Sequence, residues 1–288
     1  MIVGKKRCII ALLSTKKTHQ KMKKFIVIII AVAVVASSFV MSSCCGVCAG
    51  EVKFKNFKDS IAEGNGDKVS FAVASIDFPV KGDKTLIMSI REWIVMYTQC
   101  RLDGKNYQKY VTDVCKRIFD APKPEDNLPM GYENSFELHK SFDSGRIVTL
   151  NGLSYNYSGG THGVHKSVGV TFRRSDGKVF GKEMFVDCNS ADFKRLVKKY
   201  MMEYFDANDD ESLRKNLFDE AIEGDPNGDW YVKLPGSFLP YIDEEGRVVV
   251  MYGLYEVAPY ACGEVEACIP AEEVLPLLTE DGKKFLED

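Results

Sequence analysis

The chain has 288 residues, 45% of them hydrophobic, which is ordinary for a globular protein and more than one small domain needs. Its formal charge of −3 averages two unlike parts. The first 43 residues hold eight basic residues and no acidic one, and the remainder carries 30 basic against 41 acidic residues, a net charge of about −11. A domain this acidic repels polyphosphate backbones, which argues against nucleic acid as a partner.

The chain opens with a basic stretch, and from Phe25 to Val40 every residue is apolar or small apart from Ser37 and Ser38. A basic start, an apolar run and a small-residue exit describe a secretory signal over residues 1–43, and Met22-Lys23-Lys24 reads as the true start of it. Sixteen apolar residues are short for crossing ~30 Å of hydrocarbon. The exit Met41-Ser42-Ser43-Cys44 resembles a bacterial lipobox, which implies acylation of Cys44 and a membrane anchor through its acyl chains. Residues 44–65 are rich in Gly, Lys and Glu and read as a lipidated tether. Cys45-Gly-Val-Cys48 has redox-motif spacing but no strand–helix frame around it, and reads as incidental.

A strand is expected at about 68–78, where Val69, Phe71 and Val73 alternate with small residues, ended by Pro79 and Gly82-Asp83. Asp83 is placed to cap a helix from Lys84 to about Cys100, with Leu86, Ile87, Ile90, Ile94 and Tyr97 on one stripe. A second helix spans about 106–119, with Tyr107, Tyr110, Val111, Val114, Cys115, Ile118 and Phe119 at i, i+3, i+4 spacing. The odd number of cysteines after Cys44 leaves at least one unpaired, and Cys100–Cys115 and Cys262–Cys268 are candidate disulfides. Pro122, Pro124 and Pro129 continue neither regular structure, so a boundary is expected there, between a small domain at 66–125 and a larger one at 130–282.

The larger part begins with strands at about 133–141 and 146–157. Tyr155 and Tyr157 share a face of the second, Gly159-Gly160 breaks it, and a further strand at about 166–173 leads through Ser175-Asp-Gly-Lys178 into a third short strand. Helices follow at about 191–205, capped by Asn189-Ser190, and 211–220. The acidic loops Asp206–Asp210 and Asp225–Asp229 have D-x-N-x-D spacing but lack the glycine and glutamate of a calcium loop, so both read as solvated turns. Strands near 230–234, 247–252 and 264–269 precede a terminal helix at about 271–278. The expected class is α+β, with mixed or antiparallel sheets and packed helices.

No complete catalytic constellation is present. His162 and His165 form a His-x-x-His pair without a marked third ligand, so no metal site is expected. G-x-S-x-G, G-x-G-x-x-G and Walker motifs are absent, and no cofactor is implied. The tyrosines are more informative: Tyr155, Tyr157, Tyr255 and Tyr260 offer stiff contact area with polar tips, which suits glycan or protein binding. Thr161, His162 and Glu256 stand beside them and complete the candidate ligand-binding set.

Two motifs, Tyr-x-Tyr-x-Gly-Gly-x-His-Gly from Tyr155 to Gly163 and Tyr-Glu-Val-Ala-Pro-Tyr-Ala-x-Gly from Tyr255 to Gly263, resemble the RsiV-like extracytoplasmic domain family over about residues 135–280. The family is of formally unknown function, and related domains also precede catalytic domains in some peptidoglycan deacetylases. The resemblance implies an α+β ectodomain without established catalysis, preceded by a small companion domain, and in the anti-sigma member such a domain binds lysozyme. Only a short basic stretch precedes the apolar run here, so the anti-sigma role is not carried over. The expectation is a lipid-anchored, non-enzymatic envelope protein that binds or senses a lysozyme-like protein or a peptidoglycan-type glycan. The alternative is a cell-wall-active enzyme, a peptidoglycan hydrolase or a deacetylase accessory.

Overall fold

The computed structural model describes residues 52–65, 69–121, 131–225 and 229–287, all within one compact unit. The signal region, Met22, the lipobox with Cys44, and Cys45 and Cys48 lie outside the described residues.

A five-stranded mixed sheet organises the first half. Its strands are β1 (Lys53–Glu63), β2 (Ser70–Lys81), β3 (Glu133–Asp143), β4 (Ile147–Tyr157) and β5 (Val164–Arg173), in spatial order β1-β2-β3-β4-β5. All neighbours are antiparallel except β2 and β3, which run parallel from Phe71 opposite Glu133 to Ile76 opposite Leu138. Parallel neighbours need a crossover, supplied here by α1 (Lys84–Thr98) and α2 (Tyr107–Phe119).

Both helices form where their apolar stripes predict. Asp83 accepts the Leu86 N–H at 2.9 Å as the cap of α1, whose Leu86, Ile87, Ile90 and Ile94 are buried. Asn106 caps α2, which buries Tyr107, Tyr110, Val111, Val114, Cys115 and Phe119. The stripes pack on Ala72, Ala74, Ile76 and Phe78 of β2 and on Phe136, Leu138, Leu150 and Phe172. Phe78 stacks on Tyr107 at 4.6 Å and meets Tyr110 edge-on at 5.4 Å, so each ring fills space that an aliphatic residue would leave open.

Two organisational expectations are corrected. Residues 53–63, expected within a tether, form edge strand β1, because Phe57 and Ile61 reach the helix-side core while the backbone pairs with β2. The boundary expected between 125 and 130 does not separate two sheets. β2 needs a partner on its second edge, and β3, from beyond that boundary, provides it.

The second half stacks on the other face of the sheet at its β5 end. It holds α3 (Ala191–Tyr204), α4 (Asp210–Arg214), the hairpin β6 (Ile222–Gly224) with β7 (Trp230–Val232), a three-stranded sheet and two short C-terminal helices, α5 (Ala271–Val274) and α6 (Glu280–Lys283). The three-stranded sheet has β9 (Val248–Tyr252) between β8 (Tyr241–Ile242) and β10 (Val265–Ile269). Ser190 caps α3, which buries Phe193, Val197, Tyr200 and Met201.

The helix expected over 211–220 stops at Arg214, since the Phe218 N–H bonds the Val257 carbonyl instead of a helical one. The helix expected over 271–278 gives way after Val274 to a 3-10 turn containing Pro276, which cannot continue an α-helix. The third short strand after the Ser175–Lys178 turn reduces to a single bridge between Phe172 and Val179.

A buried polar joint locks the two halves together. The Thr171 hydroxyl accepts from the Ile242 N–H at 2.8 Å, Thr149 donates to the Ile242 carbonyl at 2.7 Å, and the two hydroxyls are 2.8 Å apart. Gly169 has no side chain because the Tyr241 ring lies against its Cα.

Neither expected disulfide forms: Cys100, Cys115 and Cys268 carry free thiols. Cys115 is buried against β2, its thiol directed at the Ala72 carbonyl, whereas Cys100 sits at the loop after α1 beside Arg117. Burial and the neighbouring Glu266 push the Cys268 thiol up to about 11.

Candidate functional site

The two tyrosine-bearing motifs meet. Gly159 and Gly160, at φ of 99° and 93°, turn the chain out of β4, and the Tyr157 hydroxyl bonds the Gly160 carbonyl at 3.1 Å. The loop then brings His162 onto Tyr260, the rings stacked at 3.8 Å and 18°. The Tyr260 hydroxyl donates to the Gly163 carbonyl at 2.7 Å, and that carbonyl is 3.2 Å from His162 Nδ1. Tyr155 occupies the space that a side chain on Gly163 would fill. Burial, then Glu133 and the Tyr260 and Tyr157 hydroxyls, raises the Tyr155 phenol above its ordinary value.

Tyr255 extends this ladder outward, its ring 5.6 Å from Tyr260 and its residue 54% exposed. Its φ is +63°, in the third position of a turn closed by the Glu256 N–H on the Gly253 carbonyl. That position favours glycine or asparagine, so a tyrosine there is strained. Glu256 holds the turn: one carboxylate oxygen accepts the Gly236 N–H and the other the Gly253 N–H, both at 2.8 Å. The candidate carboxylate is thus committed to backbone, and Thr161 is exposed on the loop between β4 and β5 that carries His162.

Beside the ladder two clefts flank the start of β5. One, of about 400 Å³, lies at the helix side, between Tyr97, Arg117, Asn134 and Asn156. The other, of about 440 Å³, runs between β5 and the second half, lined by Leu239, Met251, Glu256 and Glu264 among others. Tyr97, Val164, His165 and Lys166 line both. Glu264 is the pivot: its carboxylate accepts the Ser167 N–H at 2.7 Å and the Ser167 hydroxyl at 2.5 Å, and stands 3.7 Å from His165 Nε2. The Tyr204 hydroxyl lies 2.9 Å from the carbonyls of Cys262 and Glu264, fixing this segment to α3. Burial, then Glu264, raises the Tyr97 phenol, and burial, then Glu264 and Asp243, raises the Glu266 carboxyl.

Of the candidate residues, His162, Tyr155, Tyr255, Glu256 and Tyr260 therefore gather at one place. Tyr157 closes the adjoining loop. The His-x-x-His pair divides, His162 on the ladder and His165 at the cleft. His165 stood out in the sequence only as half of a metal-ligand pair, and Tyr97 and Glu264 did not stand out as site residues at all. Tyr97 reads from sequence as one more helix-stripe residue, and Glu264 as one carboxylate among many. Among the described residues no group of three metal-ligating side chains comes together.

Residues 182–272 match the model of a family described as "Protein of unknown function (DUF3298)". The Tyr255–Gly263 motif lies inside that span and the Tyr155–Gly163 motif outside it. The fold is similar to the crystal structure of a DUF3298 family member from Bacteroides fragilis, with a TM-score of 0.63 and 16% identity, covering 84% of this chain and 99% of that one. A DUF3298 family protein from Pseudomonas aeruginosa is similar at a TM-score of 0.54 and 14% identity, covering 82% and 98%. No curated protein matches in sequence.

Proposed function

We propose that this chain is a lipid-anchored, non-catalytic binding module of the cell envelope, of the RsiV-like kind, whose ligand is a lysozyme-like protein or a cell-wall glycan. The observation that carries the reading is Tyr255. The fold holds a large aromatic side chain outward in a conformation that glycine would adopt without strain, and backs it with the Tyr260 and His162 rings. Strain kept at an exposed ring is expected of a contact surface. The polar groups around it support binding over acid–base chemistry, since the Tyr260 hydroxyl and the carboxylates of Glu256 and Glu264 are engaged in holding the chain. The anchor rests on the residues leading to Cys44, and the net charge of about −11 after residue 43 favours a basic protein partner.

The test is a titration of lysozyme, and separately of soluble peptidoglycan fragments, into the wild-type protein and Tyr255→Ala at low and moderate salt. The expected result is saturable binding of one of them, weakened at least tenfold in the variant. Absence of binding to both removes the proposal. Release of reducing sugar, peptide or acetate from peptidoglycan would replace it with the cell-wall enzyme.

A further inference from the structure

We propose that the cleft alongside β5 receives an extended peptide, which adds as a strand on the edge from His165 to Gly169 and sets a basic side chain against Glu264 and Glu256. This goes beyond the ladder reading and does not depend on it.

β5 is the last strand of its sheet, and among the described residues no further strand of that sheet lies beyond it. Three hydrogen bonds fix which residues face that edge: the Ser167 N–H goes to Glu264, the Thr171 carbonyl accepts from the Phe180 N–H, and the Arg173 N–H donates to the Lys178 carbonyl. Alternate residues of a strand present their backbone groups to the same side, so His165 and Gly169 face it too. At its far end the edge already accepts an extended segment, Lys178–Phe180, antiparallel through the Phe172–Val179 bridge. From His165 to Gly169 the same edge borders the 440 Å³ cleft instead. Four residue steps at about 3.3 Å make a slot of roughly 13 Å, long enough for a short strand.

Glu264 acts as a stand-in. Its carboxylate occupies the place where a neighbouring strand's carbonyl would accept the Ser167 N–H. An arriving peptide carbonyl takes over that bond, and the released carboxylate pairs with a lysine or arginine of the peptide. The walls suit alternate side chains: Val164 and Leu239 are exposed apolar residues on the rim, and both charged groups on the side facing β5, Glu256 and Glu264, are acidic. Main-chain bonds to a sheet edge with side-chain pockets on either side are a recurrent way of reading an extended peptide. A glycan would use the rings and leave the edge amides where they are.

The test titrates the full chain with Ac-Val-Lys-Val-Lys-Val-NH2, with the same peptide N-methylated at every internal amide, with Ac-Val-Glu-Val-Glu-Val-NH2 and with chitotetraose, following backbone amide shifts in the NMR spectrum. The expected result is saturable binding of the first peptide with shifts concentrated at His165–Gly169, and at least tenfold weaker binding of the methylated and acidic peptides. Glu264→Gln keeps the acceptor and loses the charge, and is expected to weaken the lysine peptide at least threefold. Equal binding of the methylated peptide, shifts elsewhere, no binding of the lysine peptide, or competition for the edge by chitotetraose would each overturn the proposal.

Discussion

Replacing Tyr255 by glycine and, separately, by alanine distinguishes strain from contact. At φ of +63° an L-residue pays roughly 1–2 kcal/mol against the ordinary helical or extended wells, and glycine does not. Both variants lose the ring pair with Tyr260, worth about 0.5–1.5 kcal/mol when desolvated and near the lower end at this exposure. Alanine keeps the backbone strain and loses the ring. Glycine loses both, less its own greater freedom in the unfolded chain, roughly 0.5–1 kcal/mol. The expected order is glycine more stable than alanine by about 1 kcal/mol, with wild type between them. Urea denaturation at fixed slope reads this difference directly, and for a chain of this size it corresponds to about 2–4 °C in Tm. Ligand binding should fall equally in both. Alanine as stable as glycine would refute the strain, and retained binding in the glycine variant would refute its use.

Three further outcomes are expected. Gly163→Ala meets the Tyr155 ring without any penalty in φ, so it should cost about 1–3 kcal/mol by overpacking, and Tyr155→Ala should relieve most of that in the double variant, read by a denaturation cycle. Thr171→Val keeps the shape but leaves the Ile242 N–H and the Thr149 hydroxyl short of a partner in the joint between the two halves, so a loss of about 1–3 kcal/mol is expected in urea unfolding. For acid, the Lys178 ammonium, assisted by Arg173, holds the Asp281 carboxyl down at about 2, and Arg173 lowers Asp176. These carboxyls bind protons less readily folded than unfolded, so their stabilisation is complete above about pH 4 and is lost as pH falls toward 2. Asp281→Asn should flatten the fall of the urea midpoint between pH 5 and 2; an unchanged slope would contradict the assignment.

Much of the secondary structure was legible from local patterns. The stripe from Leu86 to Ile94 with its Asp83 cap, and the stripe from Tyr107 to Phe119, set both crossover helices to within two residues, because burial of one face follows from spacing alone. The α+β class follows from the same alternation of periods. What sequence could not reach was pairing between distant segments. β1 looked like a tether because only four of its eleven residues are apolar, and it becomes a strand only because β2 offers an edge. The proline-rich stretch looked like a domain boundary, yet β2 and β3 pair across it.

The candidate site divides the same way. The amino-acid order by itself determined which aromatic and glycine residues were unusual, since those signals lie within nine consecutive positions in each motif. Only the tertiary structure decided that Tyr260 stacks on His162, that Tyr255 is strained, and that Glu264 closes the edge of β5. The first and last are contacts between groups about a hundred residues apart, and the Tyr255 dihedral is held by the Glu256 carboxylate on the Gly236 and Gly253 amides; a one-dimensional pattern carries no record of them.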